Sequence, residues 1–299
     1  RGLPSTDLFA VTEDAAGTLW VASDAGLSRR DGARFVTPGV AEGLPSPRLR
    51  MMKATRDGAI WGGAAGGGLA RLLGGRATLF GASEGLPAAT VYALHEDADG
   101  TLWAGTLGGG LVRGTGRRFR AFTERDGLHD DTVYEVLDDL GGNLWLTSNR
   151  GISKVAKADL AALEAGRLRS VPVAVFGVDE GLRSAECNGA GEPSGLRTRD
   201  GRLWFATQGG AALLDPRAPE RETPRASPRI ELVLVDGRVV PHVAGIVLPA
   251  GRETLEIRYA APVFHAPARA RFRYELSGFD ERPVEAGARR TAIYTNLAP

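Results

Sequence analysis

Cysteine is almost missing from this chain, and its scarcity sets the first limits. One residue, Cys187, among 299 rules out an internal disulfide framework and a cysteine-based zinc site. It leaves the compartment open, and a lone thiol in a strand-like setting reads as a small buried hydrophobe. Long apolar runs are lacking too: none approaches the roughly 20 residues of a membrane-crossing helix, and the opening Arg1-Gly2-Leu3-Pro4 is not a signal peptide. Charge of one sign is absent, with 37 Lys and Arg against 36 Asp and Glu. No global field therefore draws the chain to nucleic acid or to an anionic membrane, and Arg117-Arg118 and Arg289-Arg290 read as solvated faces. Histidine is rare, and His95, His129, His242 and His265 show no metal-type spacing. There is no Gly-x-Ser-x-Gly, phosphate-binding loop or His-Glu-x-x-His. No metal, cofactor or catalytic residue is expected.

What the chain has in excess is glycine, 41 residues, about twice the usual share of roughly 7%. The glycines fall at regular places between short apolar runs, a pattern of tight turns in an all-β chain. All five tryptophans lie in one recurring phrase: Gly17-Thr18-Leu19-Trp20, Gly58-Ala59-Ile60-Trp61, Gly100-Thr101-Leu102-Trp103, Gly142-Asn143-Leu144-Trp145 and Gly201-Arg202-Leu203-Trp204. A second phrase keeps step: Gly2-Leu3-Pro4, Gly43-Leu44-Pro45, Gly85-Leu86-Pro87, Gly127-Leu128-His129 and Gly181-Leu182-Arg183. A period near 42 residues marks a repeat architecture.

In the third copy, Val91 to Glu96 reads as a strand, Asp97-Ala98-Asp99-Gly100 as a turn and Leu102 to Thr106 as a second strand. Asp-Gly between two such runs is a hairpin signal, since the turn must reach positive φ. Leu111 to Arg113 and Phe119 to Phe122 complete four antiparallel strands, the size of one β-propeller blade. Five blades are expected near 1–41, 42–83, 84–125, 126–170 and 171–216. Trp20, Trp61, Trp103, Trp145 and Trp204 read as structural rings filling the wedge between neighbouring sheets; exposed aromatics that stack on sugars are the alternative. The acidic pairs Glu13-Asp14, Glu96-Asp97 and Asp138-Asp139 recur with the repeat, so turn chemistry explains them. The glycine triplets Gly66-Gly67-Gly68 and Gly108-Gly109-Gly110 sit in hairpins, not before helices, which argues against a phosphate cradle.

The period fails between Trp145 and Trp204. One insert, Asp159 to Gly166, reads as a short helix with Asp159 as N-cap, Leu160 and Leu163 on one face and Gly166 as its stop. The other holds Glu186-Cys187-Asn188-Gly189. Counted from the Gly-Leu phrase, Cys187 matches Val91, so Glu186 and Asn188 flank the start of the innermost strand and are the candidate ligand residues. The fifth blade lacks an outer strand before the Pro- and Arg-rich linker 217–228. From 229 to 299, Ile230 to Val235, Leu255 to Tyr259 and Phe272 to Leu276 read as strands, the latter two alternating apolar with charged residues. They suggest an incomplete immunoglobulin- or fibronectin-like sandwich. Both ends look cut, as in a piece of a longer protein.

Together these residues resemble the two-component regulator propeller family (Reg_prop) over residues 2–216. There, repeats of Gly-Leu-Pro, strand, Asp-x-x-Gly-x-Leu-Trp and strand build a seven-bladed sensor propeller. The tail is similar to the triple-tyrosine (Y_Y_Y) domain, through Tyr259, Arg271 to Gly278 and Tyr294 to Pro299. The resemblance implies the periplasmic part of a bacterial inner-membrane sensor, homodimeric at full length. It would bind a small molecule or oligosaccharide, with membrane contact only through a helix beyond this chain and a cytoplasmic histidine kinase or diguanylate cyclase as output. Two alternatives are a propeller carbohydrate-active enzyme, a lyase or glycosidase needing a blade-specific acid and base, and a protein-interaction scaffold.

Overall fold

A computed structural model of the chain describes residues 2–37, 49–64, 66–187, 193–218, 227–241, 254–262 and 270–295. Gly43 to Pro45, Asn188 to Gly191, most of the 217–228 linker, His242, His265 and the terminal Asn296 to Pro299 lie outside the described residues. The chain divides into two compact units, Arg1–Ala218 and Pro219–Pro299.

In the first unit each 42-residue period folds into one antiparallel meander whose strands follow chain order. The first sheet is β1 to β4, Leu8–Glu13, Leu19–Ser23, Gly26–Asp31 and Arg34–Val36. The second is β5 to β8, Leu49–Ala54, Ile60–Ala64, Leu69–Leu73 and Arg76–Phe80. The third is β9 to β12, Val91–Glu96, Leu102–Thr106, Leu111–Thr115 and Arg118–Phe122. The fourth is β13 to β16, Glu135–Asp138, Asn143–Ser148, Gly151–Ala156 and Val173–Phe176. The fifth has three strands, β17 to β19, Gly195–Arg197, Leu203–Thr207 and Gly210–Leu214. The first strands of successive sheets, β1, β5, β9, β13 and β17, lie side by side, the arrangement of propeller blades around an axis.

The core lies between sheets, and each of its clusters takes the tryptophan of one blade and the apolar residues of the next. Trp20 packs with Leu49, Met52 and Ile60; Trp61 with Val91, Leu94 and Leu102; Trp103 with Val133, Val136 and Leu144; Trp145 with Cys187, Leu203 and Phe205. At 150–250 Å² a ring, each burial contributes about 4–6 kcal/mol before entropy is counted. Adjacent blades approach closely where glycine follows the tryptophan by two. A Cβ on Gly105 would stand 2.7 Å from the Val133 carbonyl oxygen, and one on Gly63 2.8 Å from that of Val91.

The Gly-Leu phrase closes a feature not expected from the sequence, a single 3-10 turn before the third, fourth and fifth blades. It spans Ala82–Glu84, Glu124–Asp126 and Val178–Glu180, with Gly85, Gly127 and Gly181 left-handed just after it. An acidic side chain ties each turn back: Glu84 accepts the Gly81 N–H (2.8 Å), Asp126 that of Thr123 (2.9 Å) and Glu180 that of Gly177 (2.7 Å).

The expected insert helix is present, but its start differs. Helix α1 runs Lys157–Glu164 with Ala156 at its cap, so Asp159 lies in the first turn. Strand β15 feeds straight into the helix and the Lys157 N–H bonds the Gly142 carbonyl (2.9 Å), which fixes the start earlier. Asp159 there complements the helix dipole. Leu160 is fully buried and Leu163 packs on the same cluster.

The second unit holds β20 (Arg229–Val235), β21 (Arg238–Val240), β22 (Leu255–Ala260), β23 (Phe272–Tyr274), β24 (Val284–Gly287) and β25 (Thr291–Tyr294). Four form a sheet ordered β21-β20-β22-β25, and β23 pairs β24. Both sheets feed one core of Val233, Leu255, Tyr259, Phe272, Ala286, Ala292 and Tyr294. Tyr259, Tyr274 and Tyr294 make a chain of ring contacts, 6.0 Å between centroids at each step. The Tyr294 hydroxyl donates to Asp280 (2.8 Å).

Candidate functional site

The structure sorts the repeated residues into two rows. The tryptophan row is buried at its first four positions, 8% exposed at Trp20 and 3–4% at Trp61, Trp103 and Trp145. Trp204 is only partly buried. In blades one, three and four an aspartate six residues earlier accepts the indole N–H: Asp14 at 2.8 Å, Asp97 at 2.9 Å and Asp139 at 3.0 Å. Two of these carboxylates also serve the hairpin turn, Asp14 through Ala16 and Thr18 (both 2.9 Å) and Asp139 through Asn143. Burial pushes these two acids up, yet the bonds from tryptophan and turn win and hold both below the ordinary carboxylate range. In blades two and five the position is Thr55 and Thr198, and Asp57 and Asp200 take over the turn. Cross-strand from the ring stand Arg29, Arg71, Arg113 and Lys154, but Leu213 in the fifth blade. The six-residue Asp-to-Trp spacing was visible in the sequence, but the indole bond was not among the expectations drawn from it.

The second row stands eleven residues before each of the first four tryptophans, at Phe9, Arg50, Tyr92 and Tyr134. Three of its members are β-bulge residues. Pairing passes from Leu8–Ser23 to Ala10–Ala22, from Leu49–Ala64 to Met51–Gly63 and from Val91–Thr106 to Ala93–Gly105, each time leaving the residue between without a partner. Tyr134 comes just before β13, its N–H on the Thr147 carbonyl (2.9 Å). The row makes contacts from blade to blade: the Arg50 guanidinium lies 4.6 Å from the Phe9 ring, and Tyr92 and Tyr134 meet edge to face at 5.4 Å. The Asn149 amide donates to the Tyr134 hydroxyl (3.2 Å). The three rings are half-buried and Arg50 is exposed.

Glu186 is exposed; its N–H bonds Ser184 Oγ (3.2 Å) and its carbonyl accepts from Gln208 (2.9 Å). Cys187 is buried, its thiol pushed up to about 11 by that burial. Its N–H bonds the Ser148 carbonyl (3.0 Å), as that of Val133 bonds Thr106 (2.8 Å) in the blade before. Glu186 thereby stands beside the β14–β15 turn that carries Asn149. The innermost strand, however, begins at Gly195 rather than at Cys187, because an extra segment intervenes. Asn188 lies outside the described residues.

Charged groups collect where no sequence spacing announced them. His95, Asp97 and Asp138 come from neighbouring blades, and their ligand-type atoms lie within 4.8 Å of one another. The Lys157 ammonium stands 2.5 Å from Asp97 Oδ1 and 3.3 Å from Asp138 Oδ2. A lysine thus balances the carboxylates at the place a metal ion would take. Burial lowers the His95 pKa against the pull of both aspartates, which keeps the ring neutral near pH 7. For Lys157 burial works the other way, but the bonds to Asp97 and Asp138 prevail and raise its pKa. Glu135, on β13, is 8% exposed; its Oε1 accepts the Val136 N–H and its Oε2 the Ser194 hydroxyl, both at 3.0 Å. Burial raises its pKa against those bonds. The equivalent residues of the first three blades are Ala10, Met51 and Ala93.

The class these features define is an all-β chain of four-stranded antiparallel blades, a β-propeller fold. Residues 85–108, from the Gly-Leu-Pro phrase through the tryptophan strand of the third blade, match the family described as Two component regulator propeller. Among solved structures the chain is similar to the extracellular domain of the hybrid two component system BT3049 from B. thetaiotaomicron, with TM-score 0.77 and 17% identity, over 98% of this chain and 40% of that one. It is also similar to that of BT4673 from the same organism, with TM-score 0.56 and 15% identity, over 98% and 52%. A third likeness is to virginiamycin B lyase from Staphylococcus aureus, with TM-score 0.50 and 15% identity, over 90% and 80%. At such identities the likeness is one of fold, and the chain spans about half or less of either extracellular domain. No curated protein sequence matches it. Among the described residues no helix is long and apolar enough to cross a membrane.

Proposed function

We propose that this chain is the extracytoplasmic, ligand-sensing input region of a bacterial two-component sensor and performs no catalysis itself. The observation that carries the reading is that one extracellular sensor domain is similar to 98% of the chain, both units included, while the third blade matches the regulator-propeller family. On this reading residues 1–216 belong to a seven-bladed propeller, 217–228 link it onward, and 229–299 belong to an immunoglobulin-like triple-tyrosine domain. A periplasmic ligand, a small molecule or oligosaccharide, shifts the population of the propeller. The second unit relays that shift to a membrane helix and a cytoplasmic kinase or cyclase in a homodimeric parent protein. Glu186 and Asn188 remain ligand contacts proposed from the broken period.

The likeness to a lyase supports a second reading, a propeller enzyme, so the test is turnover. Incubated with panels of oligosaccharides and small molecules, the chain is expected to gain thermal stability from a ligand and release no product. Product formed at a rate above the protein-free control overturns the sensor reading in favour of a lyase or glycosidase.

A further inference from the structure

The bulge row is the feature that neither the scaffold nor the resemblance accounts for. A bulge adds one residue to a strand, breaks the local pairing and re-aims the side chain, and bulges are over-represented beside binding sites. Here one bulge recurs in three successive blades, and its residues are Phe9, Arg50 and Tyr92; Tyr134 follows in the fourth. Aromatic rings at these places do not build the core, because they are half-buried while the neighbouring Val91, Ala93 and Val133 are 1–3% exposed. Rings with polar tips suit a partner that is apolar on one side and wet on the other. Tyr92 and Tyr134 offer two ring edges and two hydroxyls, one of them fixed by Asn149. Among the described residues Arg50 has no carboxylate partner. An exposed guanidinium resting on Phe9 is pre-organised to receive a carboxylate in a fork.

We propose that Phe9, Arg50, Tyr92 and Tyr134 form a ligand-contact surface along the innermost strands, taking a molecule that combines a six-membered ring with a carboxylate. The ring packs against the Tyr92–Tyr134 pair, and the carboxylate pairs with Arg50. Glu186, the acidic group at this end of the fifth blade, is separated from Arg50 by strands β9 and β13, so it does not repel the carboxylate. A sugar acid and an aromatic acid share this chemistry. The inference rests on the sensor reading and names the contacts within it.

Calorimetric titration of the chain with tetragalacturonate and with 4-hydroxybenzoate distinguishes the two sources, and galactose serves as the uncharged control. One of the acids is expected to bind and galactose at least tenfold more weakly. Arg50→Gln is expected to remove that preference for the acid, and the double variant Tyr92→Leu, Tyr134→Leu, which keeps apolar bulk, to weaken binding at least tenfold. If neither acid binds, or if the leucine variant folds and binds as the unaltered chain does, the proposal is overturned. The sensor reading is then untouched, since it falls only to turnover. Should the leucine variant fail to fold, Arg50→Gln decides alone: its side chain is exposed, and unchanged acid binding by it overturns the proposal.

Discussion

The tryptophan row and the mostly aromatic bulge row are both periodic, eleven residues apart in the first four blades, yet the fold treats them oppositely. Tryptophan sits in the second strand, where in the first four blades its ring is covered by the next blade, and in blades one, three and four its N–H is held by an aspartate of its own hairpin. Phe9, Tyr92 and Tyr134 stand at the free end of the innermost strand, where the next blade covers only part of the ring. Periodicity therefore does not separate scaffold from contact surface. What separates them is how far the neighbouring blade desolvates the ring. Trp204 adds an internal control: the same motif, with Leu213 across from it and no cluster of the following-blade kind among the described residues, is only partly buried.

The largest effect expected from this comparison is on the tryptophans themselves. Trp103→Ala leaves a cavity between the third and fourth blades and is expected to cost about 3–5 kcal/mol in urea unfolding, with Trp204→Ala costing well under half of that. Equal losses would break the contrast. Next comes the coupled acid: Asp97→Ala strands the Trp103 N–H and removes one of the carboxylates that hold Lys157. A loss of about 1–3 kcal/mol is expected by the same measurement, whereas Asp99→Ala, whose carboxylate serves only the turn through Thr101, is expected to cost less.

A smaller effect, resolved by pH, comes from Glu135. The folded chain holds this proton more tightly than the unfolded chain. The stability it contributes is therefore complete below the ordinary value of 4.5 and is lost as pH rises through the raised folded value. Glu135→Gln cannot ionise, so its stability relative to the unaltered chain is expected to rise as pH is taken upward from 4.5 toward neutrality. A difference that stays flat over that range would mean the carboxylate ionises in place without cost. The smallest effect on stability is expected in the bulge row: Tyr92→Ala, half-buried to begin with, is expected to shift unfolding by no more than about 1 kcal/mol. A loss as large as that of Trp103→Ala would place Tyr92 in the scaffold after all.

Much of the blade plan was legible because it is local. In the third blade the Asp-Gly turn and the apolar runs beside it place Val91–Glu96 and Leu102–Thr106 at the expected residues. The 3-10 turns were less legible, because their Glu84 and Asp126 look like ordinary surface acids until the backbone closes on them. The start of β17 shifted away from Cys187 because counting from the Gly-Leu phrase carries the insert's extra residues into the strand. Glu186 was legible only as a break in the period, and the structure places it exposed beside the turn of the neighbouring blade.

By itself the sequence determined that residues 1–216 repeat a four-stranded unit, short of its outer strand in the fifth copy, since each turn and strand is specified within a few residues of the chain. It also determined that a large ring would recur at one place in each unit. Only the tertiary structure decided which repeated side chains would be dry, because burial depends on the neighbouring blade, some forty residues away. Packing alone brought Lys157 to Asp97, closed Ser194 over Glu135 and left Arg50 lying on Phe9. Those contacts join different blades, and a pattern read along one strand carries no information about the strand that will stand beside it.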